Sequence, residues 1–407
     1  MRRQEDDEME TQMESGRLGE SGSNERYLQS LKKSWCSNNP WTARYIYGLM
    51  FLLTDLWAWM VRDYGQPVLS DIERLKGCRG ARYCLGTEGV LRVSLGCFTF
   101  YFMMFLSTVG TSKLHQRRDS WHSDWWIAKI FLWISFMGVS FFVHPAVIDI
   151  YGKIAHFGAG VFLLIQLISI ISFITWLNDC LTSEKYTTKC HAHVHILSTA
   201  SYVASVSGII MMYIWYVPKL SCTLNIFFIT WTLLLLQLMT CVSLHPRVNA
   251  GFFSPGLMGL YIVFICWTAL RSEPATEVCD SKVEAATSEV WLTVISFIIA
   301  LLAMVIATFA TGLDSKTFQF RTEVAQGEDD VPYGYGFFHF VFAMGAMYFA
   351  MLLIGWKEHH TMRKWTIDVG WTSTWVKVVN EWFAACIFIW KLVAPVVRKS
   401  RRTAGPT

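Results

Sequence analysis

Long apolar runs alternate with shorter polar segments along most of this 407-residue chain. An apolar stretch of about 20 residues can cross the hydrocarbon core of a membrane as a helix. Tryptophan and tyrosine residues gather near the ends of the runs, as expected at membrane interfaces. The pattern predicts an all-α polytopic membrane protein with about ten transmembrane helices in one domain, 41–397. The runs fall at about 41–61, 90–109, 126–143, 153–177, 196–217, 224–242, 255–270, 290–312, 336–356 and 376–397.

The fourth run belongs to the longest apolar stretch. From Ile148 to Leu181 the chain reads IDIYGKIAHFGAGVFLLIQLISIISFITWLNDCL, and after Lys153 and His156 the next charge is Asp179. As a single helix, about 32 residues extend about 48 Å, whereas the hydrocarbon core is about 30 Å thick. Such a helix must tilt or emerge from the membrane. We therefore expect other spans to pack around it on two sides.

One face of this helix carries small and polar residues. Ala155, Ala159, Gln166 and Ser169 recur at helical spacing, and membrane helix interfaces favour such residues. The amide of Gln166 near mid-span needs a polar partner. Either a hydrogen bond to another helix or a lipid headgroup moving along a polar path would supply one.

Composition narrows the functional classes. The chain is 53% hydrophobic and 16% charged, and its net charge is only +4, whereas soluble domains carry about 25% charged residues. Nothing in it predicts a nucleic-acid partner. It contains neither a phosphate-binding glycine loop with a lysine nor a serine elbow, so we expect no enzyme activity and no cofactor. His191, His193 and His195 alternate on a predicted helix and would not share a face, so no metal site is predicted.

The ends of the chain are polar. Residues 1–40 have mixed charge and predict a disordered cytosolic tail, and residues 398–407 form a basic tail on the same side if there are ten spans. A modest excess of lysine and arginine favours this orientation. Cys78 and Cys84 share the first loop, and they can form a disulfide if that loop is lumenal or extracellular. Pro395 lies near the predicted end of the last helix.

Charges inside the runs are costly in a membrane and usually serve function. Asp55, Arg92, Glu381 and Lys391 are such residues, and His339 lies near the end of the ninth run. Arg92 and Lys391 have a structural alternative, because a long side chain can reach back to the interface. Asp55 is the hardest to explain in this way.

Six stretches of the chain carry a recognisable pattern. They are RYIYGLMFLLTDLWAWMVRDYG (44–65), GVLRVSLG (89–96), WWIAKIFLWISFM (125–137), FLLIQLISIISFITWLND (162–179), HPRVNAGFFSPGLMGLYIVFICWTALRSEP (245–274) and VPYGYGFFHFVFAMGAMYFAMLLIGW (331–356). Together they resemble the serine incorporator family. The resemblance covers nearly everything from Arg44 to Pro395, and the last two stretches are the most specific. The wording HPRVNAG and the short first loop look most like plant members.

The resemblance implies a particular architecture and role. Two helical bundles would be separated by a long diagonal helix, here the fourth run, which the eighth run would cross. A hydrophilic groove between the bundles would hold lipid, and the protein would move phospholipid between leaflets without ATP, in connection with phosphatidylserine and sphingolipid synthesis. Our candidates for lining that groove are Arg92, Gln166, Asn178 and His339.

Two other roles remain open. The protein could be a serine carrier or an accessory scaffold for phosphatidylserine and sphingolipid synthases, without scrambling activity, or a structural membrane protein. The expected partners are membrane phospholipids and, if the protein is a serine carrier or an accessory scaffold, lipid-synthesising enzymes. The expected location is the endoplasmic reticulum, Golgi or plasma membrane.

Overall fold

Helices make up most of the described chain. The computed structural model describes residues 40–65, 82–111, 113–114, 117–182, 188–274, 290–313, 331–356 and 367–403. Its described helices are α1 (Pro40–Tyr64), α2 (Arg82–Thr108), α3 (Arg117–Ser123), α4 (Trp126–Ser140), α5 (Pro145–Thr182), α6 (Thr188–Tyr216), α7 (Thr223–Leu244), α8 (Phe253–Arg271), α9 (Val290–Leu313), α10 (Tyr335–Ile354) and α11 (Trp371–Thr403). Each predicted run matches one helix, and α3 is an additional short one.

Six of these helices are long and apolar enough to cross a membrane, by length and composition. They are α2, α5, α6, α7, α8 and α10. Helix α4 and the 297–313 part of α9 are apolar but shorter, and α1 and α11 carry several charges. The chain is therefore a polytopic helical membrane protein, and the count of ten crossings stays a prediction.

The helices form two bundles. The first contains α1, α2, α3, α4, α9 and α10, and the second contains α6, α7, α8 and α11. Each bundle has its own hydrophobic core. The bundles differ in how their cores are built, since α10 is buried almost throughout in the first, whereas the second is centred on α8, which packs against α6, α7 and α11.

Helix α5 belongs to both bundles. Its 38 residues extend about 57 Å at 1.5 Å per residue. It begins at Pro145, and proline is favoured at the first position of a helix, where its missing N–H needs no partner. Residues up to Ile165 pack into the first core, and residues from Leu167 pack into the second. This division confirms the predicted two-bundle architecture with one long helix between the bundles.

The small face of α5 meets α10. Ala155 and Ala159 are buried, and a Cβ on Gly158 would collide with the side chain of Met347. One turn further along, Phe162 stacks on Tyr348 with 4.9 Å between ring centroids. Helix α9 also contacts α5, as well as α1 and α10. Small residues thus bring α10 close to α5 along the half that serves the first bundle.

The last helix is longer than the sequence predicts. Pro395 lies inside α11, which continues to Thr403 and includes part of the basic segment. Proline removes one backbone hydrogen bond and kinks a helix, but the residues that follow include arginine and lysine, which are good helix formers and favour the negative C-terminal end.

A close approach of α2 and α4 gives a test of the packing. A Cβ on Gly96 would lie 2.9 Å from the carbonyl oxygen of Phe136 and 3.0 Å from Cα of Met137. Because both are backbone atoms, we expect Gly96→Ala to destabilise the protein by about 1–3 kcal/mol. Thermal unfolding in detergent measures this change.

Gly160→Ala is the matched control, because a Cβ there meets nothing within 4 Å. Its melting temperature should equal or slightly exceed that of the wild type. Equal melting temperatures for the two variants would contradict the packing described for α2 and α4.

Candidate functional site

A seam separates the two bundles, and α5 crosses it. In the part of the chain that the structure describes, no helix of the first bundle packs extensively against a helix of the second except through α5. Helix α5 passes from the first core to the second between Ile165 and Leu167, so the seam is bordered by α5 and by helices of both bundles. A site at this seam can change shape without unpacking either hydrophobic core.

Partly buried polar side chains lie on four helices that border the seam. Gln166 of α5 is half-buried and has no hydrogen-bond partner among the described residues. Tyr348 of α10 and Tyr261 of α8 lie within electrostatic range of each other, across the two bundles. Asn380 of α11 approaches the Tyr261 hydroxyl. These four residues are the seam residues.

At one end of the seam, polar contacts around Asp368 and Lys377 connect the two bundles, and we call this group the polar knot. Lys377 of α11 forms an ion pair with Asp368 and donates to Oγ of Ser272 at 2.6 Å. The amide of Asp368 donates to the carbonyl of Leu352 at the end of α10 (2.9 Å), and the amide of Gly370 donates to the carbonyl of Ser272 after α8 (2.8 Å). Burial raises the pKa of Asp368, and the Lys377 ammonium opposes that shift. The knot thus ties both bundles together beyond the membrane-spanning helices.

The four sequence candidates do not form one site. Gln166 lies at the seam, and Asn178 lies three turns further along α5, where its amide donates weakly to Oδ1 of Asp179 at 3.4 Å. Arg92 and His339 are fully buried inside the first bundle. Cys78 and the side chain of Cys84 lie outside the described residues.

Arg92 holds the end of α4. Its guanidinium donates to the carbonyls of Ser140 (3.1 Å), Phe141 (3.2 Å) and Val143 (2.7 Å), and it pairs with Glu88 at 3.2 Å. The last carbonyls of a helix have no partners within the helix, and they carry partial negative charge. Arg92 satisfies them from α2, which explains how a charge is accommodated in an apolar run.

His339 belongs to a buried polar cluster that sequence reasoning missed. Its Nε2 lies 3.0 Å from Nδ1 of His122, and Nε2 of His122 lies 2.9 Å from the Tyr333 hydroxyl. The His122 ring also stacks on Tyr335 with 3.9 Å between centroids. Lys129 donates to the carbonyl oxygen of His122 at 2.7 Å. These five residues join α3, α4 and the start of α10, and we call them the histidine cluster.

Two further ionisable residues are buried in the helices. Asp55 of α1 lies in the first core, and its Oδ2 has no hydrogen-bond partner. Glu381 of α11 lies in the second bundle, where Thr232 donates to its Oε1 at 2.7 Å. Intramembrane acids of this kind usually mark functional sites.

Cys222, between α6 and α7, is disulfide-bonded. Disulfides persist in oxidising compartments, so we infer that this turn faces the lumen or the cell exterior. That is the side on which the charge bias of the sequence places it.

Comparisons with known proteins identify the class. The chain is a polytopic helical membrane protein with a polar seam between two bundles, and the family model for serine incorporator (Serinc) matches residues 25–330 and 311–401. It belongs to the serine incorporator family. A probable serine incorporator from Dictyostelium discoideum is 25% identical over 362 residues, which cover 83% of this chain and 85% of the relative. Serine incorporator 3 from Bos taurus is 24% identical over 381 residues, which cover 77% and 79%.

Replacing Arg92 tests its role at the end of α4. Arg92→Met leaves the carbonyls of Phe141 and Val143 without the donor they have in the wild type and leaves Glu88 without its partner, so we expect a loss of about 3 kcal/mol in stability. The melting temperature in detergent should fall by several degrees, whereas Arg247→Met at an exposed position should leave it unchanged. A melting temperature close to that of the wild type would show that water satisfies these carbonyls instead.

The histidine cluster should make stability depend on pH. Burial, and then the neighbouring His339 and Lys129, lower the pKa of His122 well below 6.5. As the pH falls below about 6.5, the unfolded chain therefore binds a proton at His122 before the folded protein does, and stability is lost until the lowered native pKa is reached. We expect a lower melting temperature at pH 5 than at pH 7.5.

His122→Gln removes the titrating group and keeps a polar side chain, so the difference in melting temperature between the two pH values should shrink. His144→Gln, at an exposed position, should keep the full difference. An unchanged difference in His122→Gln would mean that other groups cause the pH dependence.

Proposed function

We propose that this protein moves phospholipids between the two leaflets without ATP, along the seam between the bundles. The observation that carries the proposal is the position of α5. Among the described helices, α5 is the one that packs extensively in both cores. Where it passes from one core to the other it carries Gln166, whose half-buried amide has no hydrogen-bond partner among the described residues.

The chemistry of the seam fits a headgroup path. A polar headgroup that enters hydrocarbon loses its hydrogen bonds to water, which is strongly unfavourable. The hydroxyls of Tyr348 and Tyr261 and the amides of Asn380 and Gln166 can replace some of those bonds along the way. The acyl chains would remain in the surrounding lipid, which the many exposed apolar side chains of α5 contact.

The path proposed here is nearly neutral. None of the four seam residues carries a charge. The Asp368–Lys377 ion pair at the end of the seam combines a negative and a positive charge. A zwitterionic headgroup can exchange partners with such a pair without leaving a net charge buried. The activity needs no cofactor and no covalent step. We propose no enzymatic role, and we propose that the partners are the membrane phospholipids themselves.

The family name links relatives to serine, so a connection with phosphatidylserine and sphingolipid synthesis in the endoplasmic reticulum, Golgi or plasma membrane is part of the proposal. Lipid-synthesising enzymes would be the protein partners in that case. Lipid movement alone, however, is what the seam supports.

Reconstitution tests the proposal. Purified protein is placed in liposomes that contain a fluorescent phospholipid, and a membrane-impermeant quencher is added without ATP. We expect the quencher to remove more fluorescence than the share of labelled lipid in the outer leaflet accounts for. Empty liposomes should lose only that share. Quenching that stops at that share would overturn the proposal, and binding of serine by the purified protein would then favour the carrier role.

The variant Gln166→Leu addresses the seam itself. Loss of one hydrogen bond of about 1 kcal/mol should slow lipid movement about fivefold. Gln237→Leu is the matched control, because Gln237 is exposed on α7. Equal rates for the two variants would show that lipid does not pass Gln166.

A further inference from the structure

A line of polar side chains runs through the hydrophobic core of the first bundle. It begins at the histidine cluster and continues on one face of α2, where Tyr101, Cys97 and Ser94 are one turn apart. All of its members are buried. We call it the polar file, and its residues are His122, His339, Tyr47, Tyr101, Cys97, Asp55, Ser94 and Tyr151.

The file starts at the end of the bundle where α1 begins and α2 ends. There, His122 and His339 are joined by their ring nitrogens at 3.0 Å. The other nitrogen of His339, Nδ1, is buried and has no hydrogen-bond partner. The ring of Tyr47 meets His339 edge-on, with 4.6 Å between centroids.

The middle of the file is the Tyr101 hydroxyl. It donates to the carbonyl of Tyr47 at 2.7 Å, and it lies within electrostatic range of Cys97, Tyr47 and Asp55. Further along, Ser94 and Tyr151 share a hydrogen bond of 2.8 Å. The polar groups are thus spaced along the bundle between the histidine pair and Asp55.

Asp55 is the unexplained member. It is 1% exposed, burial is the dominant influence on its carboxyl group, and no cation among the described residues offsets it. A buried carboxylate without a cation is strongly unfavourable, so the neutral acid is favoured. Its Oδ2 nevertheless has no partner.

Two buried polar atoms without partners therefore lie in the same file, Nδ1 of His339 and Oδ2 of Asp55. Buried polar groups are nearly always satisfied, often by internal water. We propose that the polar file is hydrated and admits protons to the carboxyl group of Asp55 from the end that holds the histidine cluster. This role is separate from lipid movement at the seam.

The transfer needs only protons and water. One ring nitrogen of the neutral histidine pair accepts a proton, another releases one to the next water or hydroxyl, and Asp55 gains or loses a single O–H bond. Lys129 and Arg44, with Asp119 and Asp124, are the charged groups near this end. Burial, and then the nearby Lys129, disfavours a lasting positive charge on the histidine pair, which therefore passes protons on instead of storing them.

Infrared spectroscopy of the full-length protein in lipid nanodiscs tests the proposal. The carbonyl stretch of a protonated carboxylic acid is assigned to Asp55 by its loss in Asp55→Asn, and that of Glu381 is assigned in the same way with Glu381→Gln. The protein is then transferred to D₂O, and the rate at which each band shifts is measured.

We expect the Asp55 band to be present and to shift in D₂O. In His339→Phe and in Tyr101→Phe, which removes only a hydroxyl, the shift should be about tenfold slower because one link of the file is lost. The Glu381 band lies in the other bundle, so its rate should not change, and an Asp55 band at its wild-type frequency shows that the first bundle of the variant is folded.

Two results would overturn the proposal. One is the absence of a protonated Asp55 band in the wild type. The other is an Asp55 exchange rate that is the same in the wild type and in Tyr101→Phe, with the Glu381 band intact.

Discussion

The structure depends on one helix that is longer than the membrane is thick. A membrane offers no water to satisfy backbone groups, and a helix satisfies them within the segment itself. Helix α5 does so over 38 residues, and a helix of that length tilts in a bilayer or emerges from it. Its length lets one half pack in the first core and the other half in the second.

Two cores joined by one helix leave the seam with less helix packing than either bundle, among the described residues. Each core is packed by apolar and small residues, whereas the seam is held by α5 and by the polar knot around Asp368 and Lys377. Elements that move are drawn from regions with few buried apolar contacts. A path for a lipid headgroup at the seam therefore needs no loss of packing in either bundle.

The general fold could be predicted from the sequence because it depends on local patterns. Apolar runs and the small face of α5 lie within single helices, and each run matches a helix. The partners of buried polar groups could not be predicted in this way. The carbonyls that Arg92 binds begin 48 residues further along, and His122 is 217 residues from His339. Helix α3 is short and polar, so nothing in its pattern indicated that it would place a histidine inside the bundle.

The position of Arg92 also constrains how the protein is made. During synthesis α2 leaves the ribosome before α4, so the guanidinium enters the translocon while the carbonyls of Ser140 and Val143 do not yet exist. At that stage its charged partner is Glu88, one turn away on the same helix, and a charge within an apolar segment still opposes insertion. We therefore expect α2 to settle stably in the lipid only when α4 joins it.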